Sequence, residues 1–268
     1  MANSINTNAG ALVALQNLNN TSRDLSITQN RVNTGMKVSS AKDNGAIFAI
    51  ATNQRAEMGA LDAVKQSMQR GQSIVDVALA AGETITKALE EQKSLAVAIE
   101  SSVAGSAAET AYLADFNALG NEITKALGGA TFDGVNLYSA AAADVQVKTG
   151  TATADVFTLK ATGGATTVAT AGGAIVRAGA TATAVDTALK AFTAELGALG
   201  TKSKSLERSL TFTGKIQDSI EVGIGNLVDA DLAKESAKLT ALQTKQQLGV
   251  QALGIANQSS SVLLGLFR

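Results

Sequence analysis

Residues Asp229 to Arg268 read DADLAKESAKLTALQTKQQLGVQALGIANQSSSVLLGLFR, and the fold turns on their spacing. Leu232, Leu239, Leu242, Leu253, Ala256, Leu263 and Phe267 fall on three- and four-residue steps, with Glu235, Gln246, Gly249 and Ser260 in the same register. That pattern predicts a helix with a coiled-coil seam on one side and polar residues on the others. No proline interrupts it, and Asn226 or Asp229 is placed to cap its start. Burying so small a seam contributes on the order of 10 kcal/mol. Ordering the backbone costs roughly 1 to 2 kcal/mol per residue, of which hydrogen bonding recovers a part. The helix therefore needs partners to stay ordered.

The composition points the same way. Of the 268 residues 46% are apolar, yet aromatics are only 3%, with no tryptophan and two tyrosines. Bulky side chains that fill a globular centre are scarce, which favours a thin, extended helical architecture. The net charge is −1, from 22 basic and 23 acidic residues. No Lys/Arg cluster is able to neutralise a run of phosphates, so nucleic acid is not an expected partner. Without cysteine, disulfides and thiolate chemistry are excluded. The opening MANSINTNAG lacks the basic and apolar regions of a cleaved secretory signal, and no run approaches the ~20 apolar residues of a membrane span.

Toward the N-terminus, Ile5, Leu12, Leu15, Leu18, Leu25 and Val32 form a sparse stripe among amide and hydroxyl residues. Such residues weaken helix propensity, so this helix also depends on packing, and its character matches the C-terminal stretch. Gly35 is expected to end it. Ser40-Ala41-Lys42-Asp43 has capping-box spacing. After it Ile47, Ile50, Gln54, Glu57, Leu61, Val64, Met68, Gly71, Val75, Ala78, Gly82, Ile85, Leu89, Gln92, Ala96, Ile99 and Val103 step by three and four. A repeat sustained this long predicts a helical rod of roughly 80 to 90 Å. Ser106 to Glu109 is predicted to cap a second helix that carries Tyr112, Phe116, Leu119, Ile123 and Ala126, ends at Gly128-Gly129 and folds back against the rod.

The texture then changes. Asp133-Gly134 is a turn signal, and Asp144–Val147 and Val156–Leu159 alternate as short strands, predicting a β-hairpin or small ribbon. Ala161 to Thr183 is rich in Ala, Gly and Thr and reads as a surface excursion. Thr183 to Asp186 is expected to cap a returning helix whose seam runs Val185, Leu189, Phe192, Leu196, Leu199, Ser203, Leu206, Leu210, Thr213, Gln217, Ile220, Ile224 and Leu227. From Leu227 to Leu232 the step is five, a slip of register beside Gly223 and Gly225 that marks a boundary between two stacked bundles.

Little in this chain is equipped for catalysis. The absence of histidine removes the commonest general base and the imidazole metal ligand together. Glu90 and Glu91 are helix neighbours pointing in different directions, so they read as a solvated face. Asp229 and Asp231 lack the further oxygen ligands a cation needs and suit a helix start. Gly223-Ile224-Gly225 has no preceding strand and no further glycine at phosphate-cradling spacing. No enzyme activity, cofactor or metal is expected.

The two ends carry a resemblance. SINTNAGALVALQNLNNT, Leu25 to Gly35 and VSSAKDNGAIFAIA resemble the N-terminal region of bacterial flagellins, and Asp229 to Arg268 resembles the flagellin C-terminal signature. With TFDGVNLYS after the second helix, the likeness covers the chain outside about 161–183. It implies a mainly α filament subunit that leaves and returns to the same end. Residues 1–42 and 227–268 would be the halves of a terminal coiled coil (D0). Residues 43–182 and 183–226 would form a helical shaft (D1) with a β-hairpin. The implied polymer and core interface is Ile5, Leu12, Leu15, Leu18, Leu25, Val32, Leu232, Leu239, Leu242, Leu253, Ala256, Leu263 and Phe267. The resemblance further implies termini that order on assembly, export through the flagellar type III apparatus without a cleaved signal, and a location in the extracellular filament. Its implied partners are further copies or related flagellins, an export chaperone, and junction and cap proteins, with no nucleic acid or membrane. O-linked sugars on Ser/Thr around Thr162 to Thr183 would also be consistent with it.

One motif departs from the pattern. Flagellins that activate the animal innate receptor carry Gln-Arg-x-Arg-Glu-Leu on the shaft helix, where this sequence has Glu90-Glu91-Gln92-Lys93-Ser94-Leu95. An acid stands in place of arginine, which implies weak activation. A hook-filament junction protein shares similar ends, and a non-flagellar coiled-coil tether shares the periodicity. Both remain alternatives on sequence alone.

Overall fold

The computed structural model describes residues 8–139, 143–162 and 175–265. Among them are five helices, α1 (Ala9–Thr34), α2 (Gly45–Ser101), α3 (Ala107–Gly129), α4 (Ala182–Val228) and α5 (Leu232–Gly265). Strands β1 (Val145–Lys148) and β2 (Val156–Leu159) form an antiparallel pair, with Val145 opposite Leu159 and Lys148 opposite Val156. Ile5, Phe267 and the side chains of Ser260 and Leu263 lie outside what is described, as does most of the 161–183 excursion proposed for glycosylation. The chain divides into two compact units, Met1–Ala56 with Ser219–Arg268, and Glu57–Asp218.

In the second unit the heptad reading of α2 holds from Leu61 to Ile99, where every seam position is buried, but not at its ends, since Glu57 is exposed and Val103, 78% exposed, lies beyond the helix. The seam of α4 in this unit, Val185 to Gln217, is buried or half-buried throughout. The helices run antiparallel, as three polar contacts show. Lys93 pairs with Asp186, Ser203 Oγ approaches Asp76 Oδ1 at 3.4 Å, and Gln217 Nε2 donates to Asp62 Oδ1 at 2.8 Å. Two seam positions are glycines because another chain segment comes too close for a side chain. A Cβ on Gly71 would stand 2.5 Å from Val147 Cγ2 of β1, and one on Gly82 would stand 2.2 Å from Leu196 Cδ2 and 2.6 Å from the Tyr138 hydroxyl. Tyr138 is fully buried, donates to the Ala78 carbonyl at 2.5 Å and packs on Phe192 with ring centroids 5.4 Å apart. Burial is the main cause pushing its hydroxyl pKa up, with the Glu195 charge adding to it.

The turns obey their residues. Asp133 (φ 51°) and Gly134 (φ 75°) both take the left-handed backbone that a two-residue hairpin requires, and Phe132 and Val135 exchange two 2.9 Å hydrogen bonds around them. Ser106 caps α3 by accepting from the Glu109 amide at 3.1 Å, while the Glu109 carboxylate accepts from the Gly105 amide and pairs with Arg177 at 3.2 Å.

Three caps sit elsewhere than the spacing predicts. Ser40 does not cap α2, because the Asp43 carboxylate accepts from the amides and hydroxyls of Ser39 and Ser40 and closes a separate turn. Asn44 caps α2 instead, accepting from the Ala46 and Ile47 amides at 3.1 Å. For α4 the cap is Thr181, whose hydroxyl accepts from Ala184, not Thr183. Asp231 caps α5, accepting from Lys234, in place of Asn226 or Asp229. Equivalent short polar side chains two to five residues apart compete for such a role, and backbone packing chooses between them.

Candidate assembly interface

The first unit is built on α1 and α5, which pack antiparallel. Asn8 Nδ2 donates to the Ala256 carbonyl at 2.7 Å, Gln246 Nε2 approaches Ser22 Oγ at 3.4 Å, and Arg31 pairs with Glu235 at 3.0 Å. On α5 the inward positions are Glu235, Leu239, Leu242, Gln246, Gly249, Leu253 and Ala256, the register expected from sequence except at its first position, Leu232, which is 49% exposed in the first turn of the helix. On α1 they are Ala11, Ala14, Leu18, Thr21, Leu25, Thr28 and Val32, an unbroken three-four alternation. Leu18, Leu25 and Val32 thus lie on the seam, whereas Leu12 and Leu15 face outward, 60% and 43% exposed, and Ala11 and Ala14 take the inner places. The seven-residue spacing from Leu18 to Val32 carried that signal. It is weak because its intermediate positions are alanine and threonine.

The seam is polar for its size. Thr28 is fully buried and its hydroxyl has no hydrogen-bond partner, as is also true of Glu235 Oε2. Glu235 is held by Arg31 through its other oxygen, with 13% of its side chain exposed. Buried polar groups satisfied only in part weaken a helix pair while fixing its register.

Beyond α1 the chain turns at Gly35, whose φ of 70° is the left-handed conformation that ends the helix. The Val228 carbonyl accepts from the Lys37 and Val38 amides at 2.7 and 3.3 Å, Gly35 O accepts from Ala230 at 2.8 Å, and Met36 bridges Asp229. This short backbone bridge produces the register slip before Leu232. Gly223 and Gly225 do not, since α4 continues through both to Val228. Ala51, Ile224 and Val228 pack beside it with Met36, Ile47, Ile220 and Leu227. Ile50 faces solvent.

Apolar side chains stay uncovered on several sides of this unit. Leu12, Val13, Leu15 and Ile27 of α1 and Leu232, Leu248, Val250 and Ile255 of α5 are exposed, Leu248 by 59% and Ile255 by 69%. A groove of about 440 Å³ runs between the helices, floored by Ala14, Leu18 and Gly249 and edged by Val13 and Leu248. Exposed apolar residues concentrated on one unit mark an interaction surface.

In the second unit the six residues of the departed motif divide. Gln92 is buried and donates to the Phe116 carbonyl at 3.0 Å, Lys93 is engaged by Asp186, and Leu95 is half-buried. Glu90, Glu91 and Ser94 are exposed. Among the described residues no group of three or more His, Cys, Asp or Glu is placed to hold a metal, and no helix is long and apolar enough to cross a membrane.

Two paired terminal helices that leave this many apolar side chains uncovered define a class, helical subunits that complete their packing against other chains. Comparison with known proteins gives the family. Residues 5–143 match the bacterial flagellin N-terminal helical region and residues 182–267 match the bacterial flagellin C-terminal helical region. Flagellin FljM of Caulobacter vibrioides is 52% identical, with 99% of each chain covered, and a flagellin of Brucella melitensis is 38% identical with the same coverage. The crystal structure of Bacillus cereus flagellin superposes with a TM-score of 0.50 over 55% of this chain and 88% of that one, at 22% identity, a likeness of fold. The chain belongs to the bacterial flagellin family and is a structural subunit of the flagellar filament.

Proposed function

We propose that α1 and α5 form the inner tube of the filament, with residues 1–42 and 227–268 as its terminal layer and residues 43–182 and 183–226 as the shaft. In this reading Leu18, Leu25, Val32, Leu239, Leu242, Leu253 and Ala256 hold the pair together. Leu12, Leu15 and Leu232, with Ile5, Leu263 and Phe267 toward the chain ends, meet neighbouring copies. The observation that carries it is the set of uncovered apolar side chains around a weak, polar seam. Neither feature favours a pair that is complete by itself, so ordering and polymerisation become one event. The role is structural and non-catalytic, and the filament also incorporates related flagellins. Export without a cleaved signal, assisted by a chaperone on the C-terminal region, and contact with junction and cap proteins complete the reading.

Removing Leu253 to Arg268 tests it. Elongation on filament seeds is expected to stop while far-UV circular dichroism shows the shaft helices intact. Normal filaments from the truncated chain would overturn the assignment.

A further inference from the structure

Two surface features of the second unit complement each other. The first is a groove of about 480 Å³ between α2 and α3, floored by half-buried Leu95 and Leu119 and rimmed by exposed Glu91 and Asp115. On each helix the acid precedes the leucine by four residues and shares its face, so both carboxylates rim the apolar floor. The second is on α4, where Phe212 is 64% exposed. Arg208 and Lys215, four residues before and three after it, share its face, with Glu207 at the edge.

We propose that in the filament Phe212 of one copy enters the Leu95–Leu119 groove of another, with Arg208 and Lys215 meeting Glu91 and Asp115. This deepens the assembly reading above and rests on it. A large aromatic exposed between two cations is matched to an apolar floor between two anions, which is the charge complementarity that orients interfaces. A chain does not fill its own groove. The contacts of Gln217 with Asp62 and Ser203 with Asp76 place Phe212 beside the α2 residues between Asp62 and Asp76. That is roughly 35 Å along the helix from Glu91 at 1.5 Å per residue. Because the two surfaces differ, the contact is head-to-tail and propagates where the rotation does not close, as a filament requires.

The native chain has no cysteine, so engineered thiols report contacts without background. The chain carrying Ser94→Cys and Thr211→Cys, both exposed and beside the two surfaces, is polymerised on seeds and oxidised. A ladder of covalent multimers is expected, with neither single variant giving more than dimers. Filaments that yield only monomers overturn the inference and leave the assembly reading standing, whereas wild-type chain that fails to elongate overturns that reading itself. In a second measurement the Glu91→Lys/Asp115→Lys and Arg208→Glu/Lys215→Glu variants are each expected to slow seeded elongation at least about tenfold. Mixing the two variants gives each groove a complementary Phe212 face on the other variant, so the mixture should elongate faster than either variant alone, and the fourfold exchange in one chain should recover most of the rate. Unchanged elongation of either double variant, or no recovery in the fourfold one, overturns the proposal.

Discussion

Leu18 of α1 lies against the backbone of Gly249 on α5, its Cδ1 3.2 Å from where a Cβ at residue 249 would stand. Glycine inside a helix costs about 1 kcal/mol relative to alanine, so the close approach is what that cost obtains. Gly249→Ala is expected to be tolerated within about 1 kcal/mol, since the tip of Leu18 shifts and helix propensity improves. Gly249→Leu should cost about 3 kcal/mol by overpacking and abolish seeded elongation. Leu18→Ala combined with it should restore growth in part, a coupling that a double-mutant cycle on filament urea midpoints measures.

Arg31 is the ion-pair partner of a carboxylate that the helix pair largely buries. Arg31→Met should therefore destabilise the filament by about 1 to 3 kcal/mol, because it leaves the Glu235 charge without compensation. Arg31→Met with Glu235→Leu should recover most of the loss, with register faults that show as heterogeneous filaments in electron micrographs. Equal thermal dissociation of the single variant and wild type would contradict this account.

Gly82 sits under Leu196 and Tyr138 with no space for a methyl group. The substitution Gly82→Ala is expected to lower shaft stability by about 1 to 3 kcal/mol, despite the better helix propensity of alanine. Thermal unfolding of monomer followed at 222 nm reads it. Gly197→Ala, at a site with nothing within 4 Å, serves as the stabilising control.

Acid should loosen the contact between α2 and α4. Hydrogen bonds from Lys190, then Lys93, hold the Asp186 carboxyl at about 2, below its ordinary 3.8. A folded-state value below the unfolded one means the contribution is fully present above about pH 4 to 5 and is lost as pH falls toward 2. Asp43 is shifted the same way, chiefly by the Ser40 amide and then by the Ser39 hydroxyl. Asp186→Asn should flatten the decline of monomer melting temperature between pH 4 and 2. A carboxyl chemical-shift titration of Asp186 centred near 4 would refute the assignment.

Weak or absent activation of the animal innate receptor is expected from Glu91, which is exposed at the position where the activating motif has arginine. Glu91→Arg should raise potency in a reporter-cell assay with purified monomer. Full potency of the unaltered chain would refute this expectation.

By itself the sequence determined the helices, the α5 seam and the α2 register from Leu61 to Ile99, because heptad spacing over many turns is redundant and one exception does not shift it. It also determined the Asp133-Gly134 turn, since few residue pairs tolerate two left-handed positions. The caps at Asn44, Thr181 and Asp231 were decided by tertiary structure, where several short polar side chains were eligible and packing selected one. So were the inner places of Ala11, Ala14, Thr21 and Thr28, whose side chains are too small or too polar to announce a buried face. Gly71, Gly82 and Gly249 make the point most sharply. Their spacing placed them on the seams, but why a seam should hold glycine became visible only when Val147, Leu196 and Leu18 were found where a Cβ would be.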